Sequence, residues 1–364
     1  MTDSPTTTRE GGADSSWRRP LTTGRAYVAR AVAWMADRPH ALTSVAAVRA
    51  VIGLCGLAMY VSDYAIRDLL FMPGVLQAGG TPSTRHTESV LPSLYQLGSD
   101  GAGFEVVYHL GALAALLVVL GVGGRVGLFV HYVFIWSLYA ANPLVLDGGD
   151  NLVMILGLVL LLTRCYDRLS LGGPRLPGRG PARAGRVGTG PVATIAHNTG
   201  VLLVAAQICI VYLMAGLYKV QGQMWQDGTA LYYILRTPEF YWPGVTDVAF
   251  RFSWLLVIGA YATVLLSIYF PLLVLVPRLR LPAVLAMTGF HLSIAVLMGL
   301  TSFALVMIAC DLIFVNGHLE RARSRIARSW RRVGSGTATW MAARRRHAAP
   351  PAGVTTPVVD RRSL

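Results

Sequence analysis

The sequence is short of charge. Only 14% of its 364 residues are Asp, Glu, Lys or Arg, whereas 54% are hydrophobic. A soluble domain carries roughly a quarter charged residues. The deficit excludes an ordinary soluble protein and indicates that lipid, not water, covers much of the surface.

Cysteine is also scarce, and no metal-binding or nucleotide-binding motif stands out. The eight histidines are scattered without an HExxH pattern. No GxSxG, Walker or dinucleotide-binding fingerprint stands out, and no CxxC pair is present. We therefore expect no metal ion, and we interpret the cysteines as small core side chains. They are Cys55, Cys165, Cys209 and Cys310.

Positive charge is plentiful, with a formal net charge of +14, but it is concentrated in the two tails and one linker. No basic groove with interleaved aromatic residues is apparent, so we expect no nucleic-acid partner. Basic residues beside apolar runs instead suit the anionic lipid of the cytoplasmic membrane face.

Eight apolar runs are long enough to cross a bilayer as helices, because lipid offers no partners to an unpaired backbone. These runs are 42–64, 104–122, 126–145, 149–166, 198–219, 252–276, 282–299 and 301–317. Residues 281–315 could instead form one long tilted helix. Basic and non-basic connections alternate, which places both termini in the cytoplasm. The sequence thus predicts an all-α, multi-pass bundle of about eight transmembrane helices in the plasma membrane.

The chain is expected to have three regions. Residues 1–41 form a basic cytoplasmic segment without a signal peptide, 42–317 the transmembrane domain, and 318–364 a basic, largely disordered cytoplasmic tail. Within the first region, residues 22–38 place apolar side chains on one helical face. This pattern predicts a helix that lies on the membrane and ends before Pro39.

Lysine is almost absent. Of 32 Lys and Arg residues, Lys219 is the one lysine, which leaves 31 arginines. Arginine cannot lose its proton in a protein, whereas a partly buried lysine can act as a base. Lys219, at the outer end of the fifth predicted span, is therefore a candidate catalytic base. The alternative is a lysine that merely extends to the membrane surface.

Other candidate residues lie near the same predicted outer face. Trp225 and Tyr232 follow Lys219 in one aromatic-rich connection, which suits either an interfacial aromatic belt or a wall for a flat ligand such as a quinone. Asp150 begins the fourth predicted span and His109 the second, while His291 lies near the middle of the seventh. An ionisable side chain inside a membrane is a functional candidate by default. Arg49 and Asp311 lie nearer the predicted inner face and are expected to pair structurally, and His131 is expected at the membrane interface.

The segment around Lys219 resembles the HTTM family, whose members are homologous to vitamin K-dependent gamma-carboxylase. Residues 215–220, Ala-Gly-Leu-Tyr-Lys-Val, and 225–228, Trp-Gln-Asp-Gly, follow the order of a carboxylase stretch that contains two lysines. Lys219 falls on the second lysine, the family's catalytic base, and the spacing to Trp225 is one residue longer. Further matches are Asn142-Pro143, Gly148-Gly149-Asp150 and Phe290-His291-Leu292. The resemblance covers roughly residues 42–317.

The resemblance implies quinol-dependent chemistry. In that family an amine deprotonates a reduced naphthoquinone, and reaction with oxygen drives carboxylation of a Glu side chain while the quinone leaves as an epoxide. Lys219 would be the base, and His291 and Asp150 would orient or protonate groups. The cofactor would be of menaquinol or vitamin K hydroquinone type, and a peptide or protein substrate would approach from outside. The expected binding residues are Tyr218, Trp225, Asp227, Tyr232, Asn142 and His109.

This sequence departs from the carboxylase in two respects. Tyr218 stands at the first of the two lysines, and a short basic tail replaces a large extramembrane domain. The resemblance therefore favours the quinol half-reaction over Glu carboxylation. Bacterial relatives include a protein needed to mature a secreted peptide toxin, so a non-catalytic accessory factor for peptide maturation or export is the second hypothesis. A transporter is the third, although no inverted repeat of broken helices is visible.

Overall fold

The computed structural model describes residues 19–72, 93–97, 101–171, 190–326 and 328. Within these ranges the chain is helical and contains no β-strand, which confirms the all-α class. The chain divides into two compact units, Met1–Asn316 and Gly317–Leu364. Residues 172–189, in the basic linker between the fourth and fifth predicted spans, and most of the predicted disordered tail lie outside the described residues.

The longer helices follow one another through the first unit. In chain order they are α1 (Arg19–Asp37), α2 (Leu42–Ser62), α3 (Gly101–Leu120), α4 (Gly124–Ala141), α5 (Gly148–Leu160), α6 (Pro191–Gln221), α7 (Ser253–Leu273), α8 (Arg280–Met298) and α9 (Thr301–Asp311). Short helical segments lie at Arg67–Phe71, Leu94–Leu97, Gln223–Gln226, Ala230–Ile234 and Val245–Arg251.

Five of these helices, α2, α3, α6, α7 and α8, are long and apolar enough to cross a membrane. Helix α9 makes a sixth candidate if it forms one broken span with the helix Asn316–Ile326. The other two predicted spans are shorter, since α4 has 18 residues and α5 has 13. At 1.5 Å per residue, α5 extends only about 20 Å. The described residues thus show a helical protein with five or six candidate spans.

Two predicted segments end earlier than their apolar runs suggest. Helix α4 ends at Ala141 because Asn142 adopts an extended backbone before Pro143, and its side-chain oxygen accepts a hydrogen bond from the Leu144 amide. Helix α5 ends at Leu160, after which the chain forms turns through 171. Residues 281–315 form two helices, because Gly299 takes a left-handed backbone with φ of 71°.

Helix α9 lies inside the bundle. It contacts α2, α5, α6 and α8, while α2 packs along α3 and α6 packs along α7. Gly216 allows the last of these contacts, because a Cβ atom there would lie 2.6 Å from Ile268 Cγ1 and 3.1 Å from the Ile268 backbone nitrogen. Small residues commonly permit close approach of helices in membranes.

The outward faces of the helices carry large apolar side chains. Val126 is 75% exposed and Leu272 is 60% exposed, and many similar residues lie along the same surfaces. Monomeric soluble proteins rarely expose contiguous apolar surface on this scale. These faces are suited to lipid, and the membrane class predicted from composition is supported.

Helix α1 is anchored to α6 at its C-terminal end. The Asn198 side-chain nitrogen donates to the Met35 carbonyl oxygen at 2.9 Å and to the Arg38 carbonyl oxygen at 2.9 Å. Trp34 stacks on His40 with ring centroids 4.4 Å apart. The helix predicted before Pro39 is therefore present, and its position on the membrane surface stays a prediction.

Candidate functional site

Three polar side chains meet inside the bundle where α6, α8 and α9 pack. The Tyr212 hydroxyl lies 2.9 Å from His291 Nε2 and 2.8 Å from Asp311 Oδ2. All three residues are buried, with Asp311 at 0% exposure. We call them the Tyr212–His291–Asp311 triad. Both contacts are satisfied if the Tyr212 hydroxyl donates to Asp311 and its oxygen accepts from the Nε2–H of His291.

Aromatic rings enclose the triad. The Phe270 ring centroid is 4.6 Å from that of Tyr212, and the rings of Phe290 and Phe303 are 5.1 Å and 5.6 Å from His291. These rings exclude water and supply no hydrogen-bond acceptor of their own. A hydrogen bond in such surroundings is electrostatically stronger than it would be in water.

Two atoms of the triad have no protein partner. His291 Nδ1 and Asp311 Oδ1 are buried and make no hydrogen bond. No ion pair to Asp311 occurs among the described residues. Since the phenol bridges an imidazole and a carboxyl group, a proton can pass between them by a shift along two hydrogen bonds. The arrangement can therefore hold and move one proton.

Asp150 is engaged at the start of α5. Its Oδ1 accepts from the Tyr139 hydroxyl at 2.6 Å, and its Oδ2 accepts from the Asp147 backbone amide at 2.8 Å. The Asp147 side chain in turn accepts from the Asp150 amide at 3.1 Å, which completes a capping box, and also from the Gly149 amide at 2.6 Å. Asp150 thus fixes the N-terminus of α5 with both carboxylate oxygens.

Phe303 lies between the start of α5 and the triad. A Cβ atom on Gly149 would lie 2.8 Å from Phe303 Cα. The Phe303 ring contacts His291. Asn142, at the end of α4, donates from Nδ2 to the Leu70 carbonyl oxygen at 3.1 Å and so ties this region to the segment that follows α2.

Lys219 lies near the C-terminus of α6. Its Nζ is 3.4 Å from the Ala215 carbonyl oxygen and 5.3 Å from the centroid of the Trp225 ring. Trp225 reaches this position because the helix stops at Gly222 and the chain turns back, with the Trp225 amide donating to the Gly222 carbonyl oxygen at 3.0 Å. Lys219 is half-buried, and it forms no ion pair among the described residues.

Lys219 and the triad share one helix. Tyr212 precedes Lys219 by seven residues, which is two helical turns, so both residues lie on nearly the same face of α6. The separation along the helix axis is about 10 Å at 1.5 Å per residue. No hydrogen bond joins Lys219 to His291 or Asp150 in the described part of the chain.

The other expected binding residues are more dispersed. Tyr218 is 68% exposed on the outer surface of α6, and Asp227 is also exposed. Tyr232 packs edge-on against Phe250, with ring centroids 5.5 Å apart. None of these contacts reaches Lys219.

His109 belongs to a separate surface cluster. Its Nδ1 lies 2.7 Å from the Glu105 carbonyl oxygen and its Nε2 lies 3.3 Å from the Tyr64 hydroxyl. Glu105 also accepts from Arg67 Nε at 3.0 Å. The cluster fastens α3 to the segment after α2, and no contact joins it to the triad in the described residues.

The connection after Lys219 is ordered by Asp247. The Gly244 amide donates to Asp247 Oδ2 at 3.0 Å, and the Tyr241 hydroxyl donates to Oδ1 at 2.9 Å. These bonds, first that of Gly244, lower the pKa of Asp247, and the bond to Asp247 raises the pKa of Tyr241. Hydrogen bonds to the Asp247 carboxylate therefore stabilise the aromatic-rich connection.

Two structural expectations were wrong, and one polar residue of the site was missed. Arg49 and Asp311 do not pair, because Arg49 donates to the Val118 carbonyl oxygen and Asp311 accepts from Tyr212. His131 is not interfacial but 1% exposed, and neither of its ring nitrogens has a partner. Tyr212 was missed altogether. The sequence signal that could have found the triad is an isolated acid in the apolar run 301–317, which requires a polar partner on a neighbouring helix.

No metal centre is apparent in the ranges that the structure describes. They contain no group of three or more His, Cys, Asp or Glu side chains that could hold a metal ion.

Comparison with known proteins finds a matching family and similar bacterial proteins. The HTTM domain family matches residues 92–318. The uncharacterized protein YitO of Bacillus subtilis is 25% identical over 220 residues, which are 59% of this chain and 68% of that protein. Sporulation-delaying protein SdpB of the same organism is 25% identical over 222 residues, covering 58% of this chain and 64% of SdpB. No solved structure matches the chain.

Proposed function

Since the chain belongs to the HTTM domain family, we propose that it oxidises a reduced naphthoquinone in the plasma membrane and couples this reaction to modification of a peptide at the outer face. The observation that carries the proposal is Lys219, the one lysine of the sequence, which the resemblance to the carboxylase matches to the catalytic base. Its amine is half-buried and has no carboxylate partner among the described residues. An amine in such a site loses its proton more readily than one in water.

The residues around Lys219 suit a flat, apolar ligand with ionisable hydroxyl groups. Trp225 and Tyr218 would contact the ring system, and Lys219 Nζ would accept a hydroxyl proton. A bound reduced naphthoquinone, of menaquinol or vitamin K hydroquinone type, would supply the electrons that reduce oxygen. Trp225 also fixes the amine, since its ring lies beside Nζ.

We assign different roles to His291 and Asp150. His291 acts with Tyr212 and Asp311 as a buried group that holds a proton, two helical turns from Lys219. Asp150 positions the N-terminus of α5, because both of its oxygens accept hydrogen bonds from nearby groups. Four further residues would affect a substrate only indirectly, by ordering the connections between helices. These residues are Asp227, Tyr232, Asn142 and His109.

The proposed topology has about eight membrane crossings with both termini in the cytoplasm. Helices α4, α5 and α9 are the shorter ones, and α9 would need the helix Asn316–Ile326 to make a crossing. Because α5 extends about 20 Å against a hydrocarbon core of about 30 Å, the turns that follow it would complete the crossing. The basic termini would then contact anionic lipid on the cytoplasmic side.

An accessory role in the maturation or export of a secreted peptide is the second candidate. The observation that favours it is the similarity to a protein named for the delay of sporulation, SdpB. The two candidates differ in their need for Lys219. If the organism's peptide product requires the chain but is made equally well with Lys219→Ala, the accessory role stands and the oxidation chemistry does not.

Quinone binding is tested by extraction. The purified protein would be extracted with organic solvent and the extract analysed by mass spectrometry, beside a Trp225→Ala variant and a Trp242→Ala control. We expect a naphthoquinone at near-equimolar amount in the wild type and the control, and a several-fold loss in Trp225→Ala. A wild type without quinone, even after incubation with menaquinone in detergent, would contradict the proposal.

A further inference from the structure

Four arginine side chains converge around the turns that follow α5. Arg49 comes from α2, Arg125 from the first turn of α4, and Arg164 and Arg168 from the turns themselves. The Nε atom of each of the four is buried and makes no hydrogen bond. The Tyr166 hydroxyl, whose ring lies 4.8 Å from the Arg49 guanidinium carbon, is also buried without a partner. We call these residues the arginine cluster.

Arg49 and Arg125 donate from their terminal nitrogens to neutral backbone carbonyls. Arg49 Nη1 donates to Val118 at 2.6 Å, and its Nη2 donates to Leu169. Arg125 Nη2 donates to Leu162 at 3.0 Å. These bonds fix the guanidinium planes but leave their charge uncompensated.

One carboxylate faces the cluster. Arg164 Nη2 lies 2.6 Å from Asp167 Oδ2, whereas Arg168 reaches only the Asp167 backbone oxygen, at 3.3 Å. Four arginines against one aspartate leave three positive charges without a carboxylate in the described residues. His197 adds no free acceptor at Nδ1, which accepts from the Arg164 amide at 3.0 Å. Arg49 is fully buried, and Arg125, Arg164 and Arg168 are half-buried. Removing cations from water without counter-charge is costly, so this arrangement favours a bound anion.

The surroundings of the cluster indicate what kind of anion. The unpartnered atoms are N–H and O–H groups, which suit a group that carries only acceptors. Arginine binds phosphate through paired N–H donors with charge-assisted hydrogen bonds. Three exposed apolar side chains stand among the arginines, and they suit acyl chains better than water. They are Leu162, Leu169 and Leu171, at 39%, 54% and 67% exposure.

We propose that the arginine cluster binds a phosphate-bearing anion and that the leucines assign this anion to the headgroup of an anionic phospholipid. The site lies where α3 ends and α4 begins, which the proposed topology places at the cytoplasmic face. It is independent of the quinone chemistry, because no contact links these arginines to Lys219 or the triad in the described residues.

The test is lipid binding by the purified full-length protein. Native mass spectrometry and thermal unfolding in a neutral detergent would be recorded with phosphatidylglycerol, phosphatidylcholine or inorganic phosphate added. For the wild type we expect retention of phosphatidylglycerol and a higher unfolding temperature, with little effect of phosphatidylcholine. Equal binding of both lipids, with no effect of phosphate, would overturn the proposal. Stabilisation by inorganic phosphate alone would keep the anion site but overturn its assignment to lipid.

Variants locate the site. Arg168→Gln and Arg125→Gln should each weaken binding of phosphatidylglycerol about tenfold, as loss of a charge-assisted hydrogen bond predicts. Arg251→Gln is the matched control, because this arginine lies in a separate connection and its removal changes the net charge equally. Arg168→Lys keeps the charge but loses Nε, and we expect intermediate binding. If Arg251→Gln weakens binding as much as Arg168→Gln, only net charge matters and the site does not exist.

Discussion

Polar side chains buried inside this apolar bundle need hydrogen-bond partners. Asp311 meets this need through Tyr212, and Arg49 meets it through backbone carbonyls. Each partner comes from a helix far away in sequence. Removing one member of such a pair leaves a buried polar group without a partner. This destabilises the protein more than removing both members does.

Tyr212→Phe tests the triad. The change removes one oxygen and leaves both His291 Nε2 and Asp311 Oδ2 unpaired, so we expect a loss of about 1–3 kcal/mol in the free energy of unfolding. Thermal unfolding in detergent would measure it. The control is Tyr218→Phe on the same helix, whose exposed hydroxyl forms no hydrogen bond to described residues. Equal unfolding temperatures for the two variants would contradict the triad.

Asp150→Asn tests the role of the α5 cap. Asn has one acceptor oxygen where Asp150 uses two, and it lacks the favourable negative charge at the helix N-terminus. We expect destabilisation of about 1 kcal/mol. An unchanged unfolding temperature, together with lost activity, would instead assign Asp150 directly to the chemistry.

Sequence reasoning found some of these residues and missed others for physical reasons. Lys219 and His291 stand out because an ionisable group in an apolar run is rare. Tyr212 does not stand out, since a tyrosine in a membrane helix is ordinary until its hydroxyl is seen between two buried polar groups. The cap at Asp147 and Asp150 was visible as an acidic turn, yet its geometry depends on Tyr139 from another helix.

At the scale of helices, apolar runs predicted most elements but not their ends. The break at Gly299 could be anticipated, because glycine takes the left-handed backbone without strain. The end of α5 at Leu160 could not. Arg125 donates to the Leu162 and Thr163 carbonyl oxygens, and these tertiary bonds favour turns over continued helix. Helix length in this region is thus decided by contacts between elements.

Gly216→Ala tests the close packing of α6 against α7. The added methyl group would lie 2.6 Å from Ile268 Cγ1 and 3.2 Å from Ser267 Cβ, so the helices must separate. We expect a loss of about 1–3 kcal/mol in the free energy of unfolding. Gly289→Ala in α8 is the control, because a Cβ atom there meets nothing within 4 Å. That control should be neutral or slightly stabilising, as alanine favours helix.

At the scale of the whole molecule, the arrangement across the membrane is the property that composition and the positive-inside rule predict most directly. Cysteine labelling tests it, since Cys55, Cys165 and Cys310 are buried and Cys209 is half-buried. In intact cells an impermeant maleimide should label Gln223→Cys, which is exposed beyond the end of α6. Leu171→Cys should be labelled only after the membrane is opened. The reverse pattern would invert the topology.

The quinone chemistry at Lys219 is the central claim, and epoxide formation tests it most directly. Purified wild type, Lys219→Arg and Lys219→Ala would be incubated with a reduced naphthoquinone and oxygen, and the epoxide measured by mass spectrometry. We predict epoxide from the wild type and at least about a hundredfold less from both variants, as for loss of a catalytic base. Equal activity in Lys219→Arg would show that charge alone suffices. No epoxide from folded wild type would contradict the account.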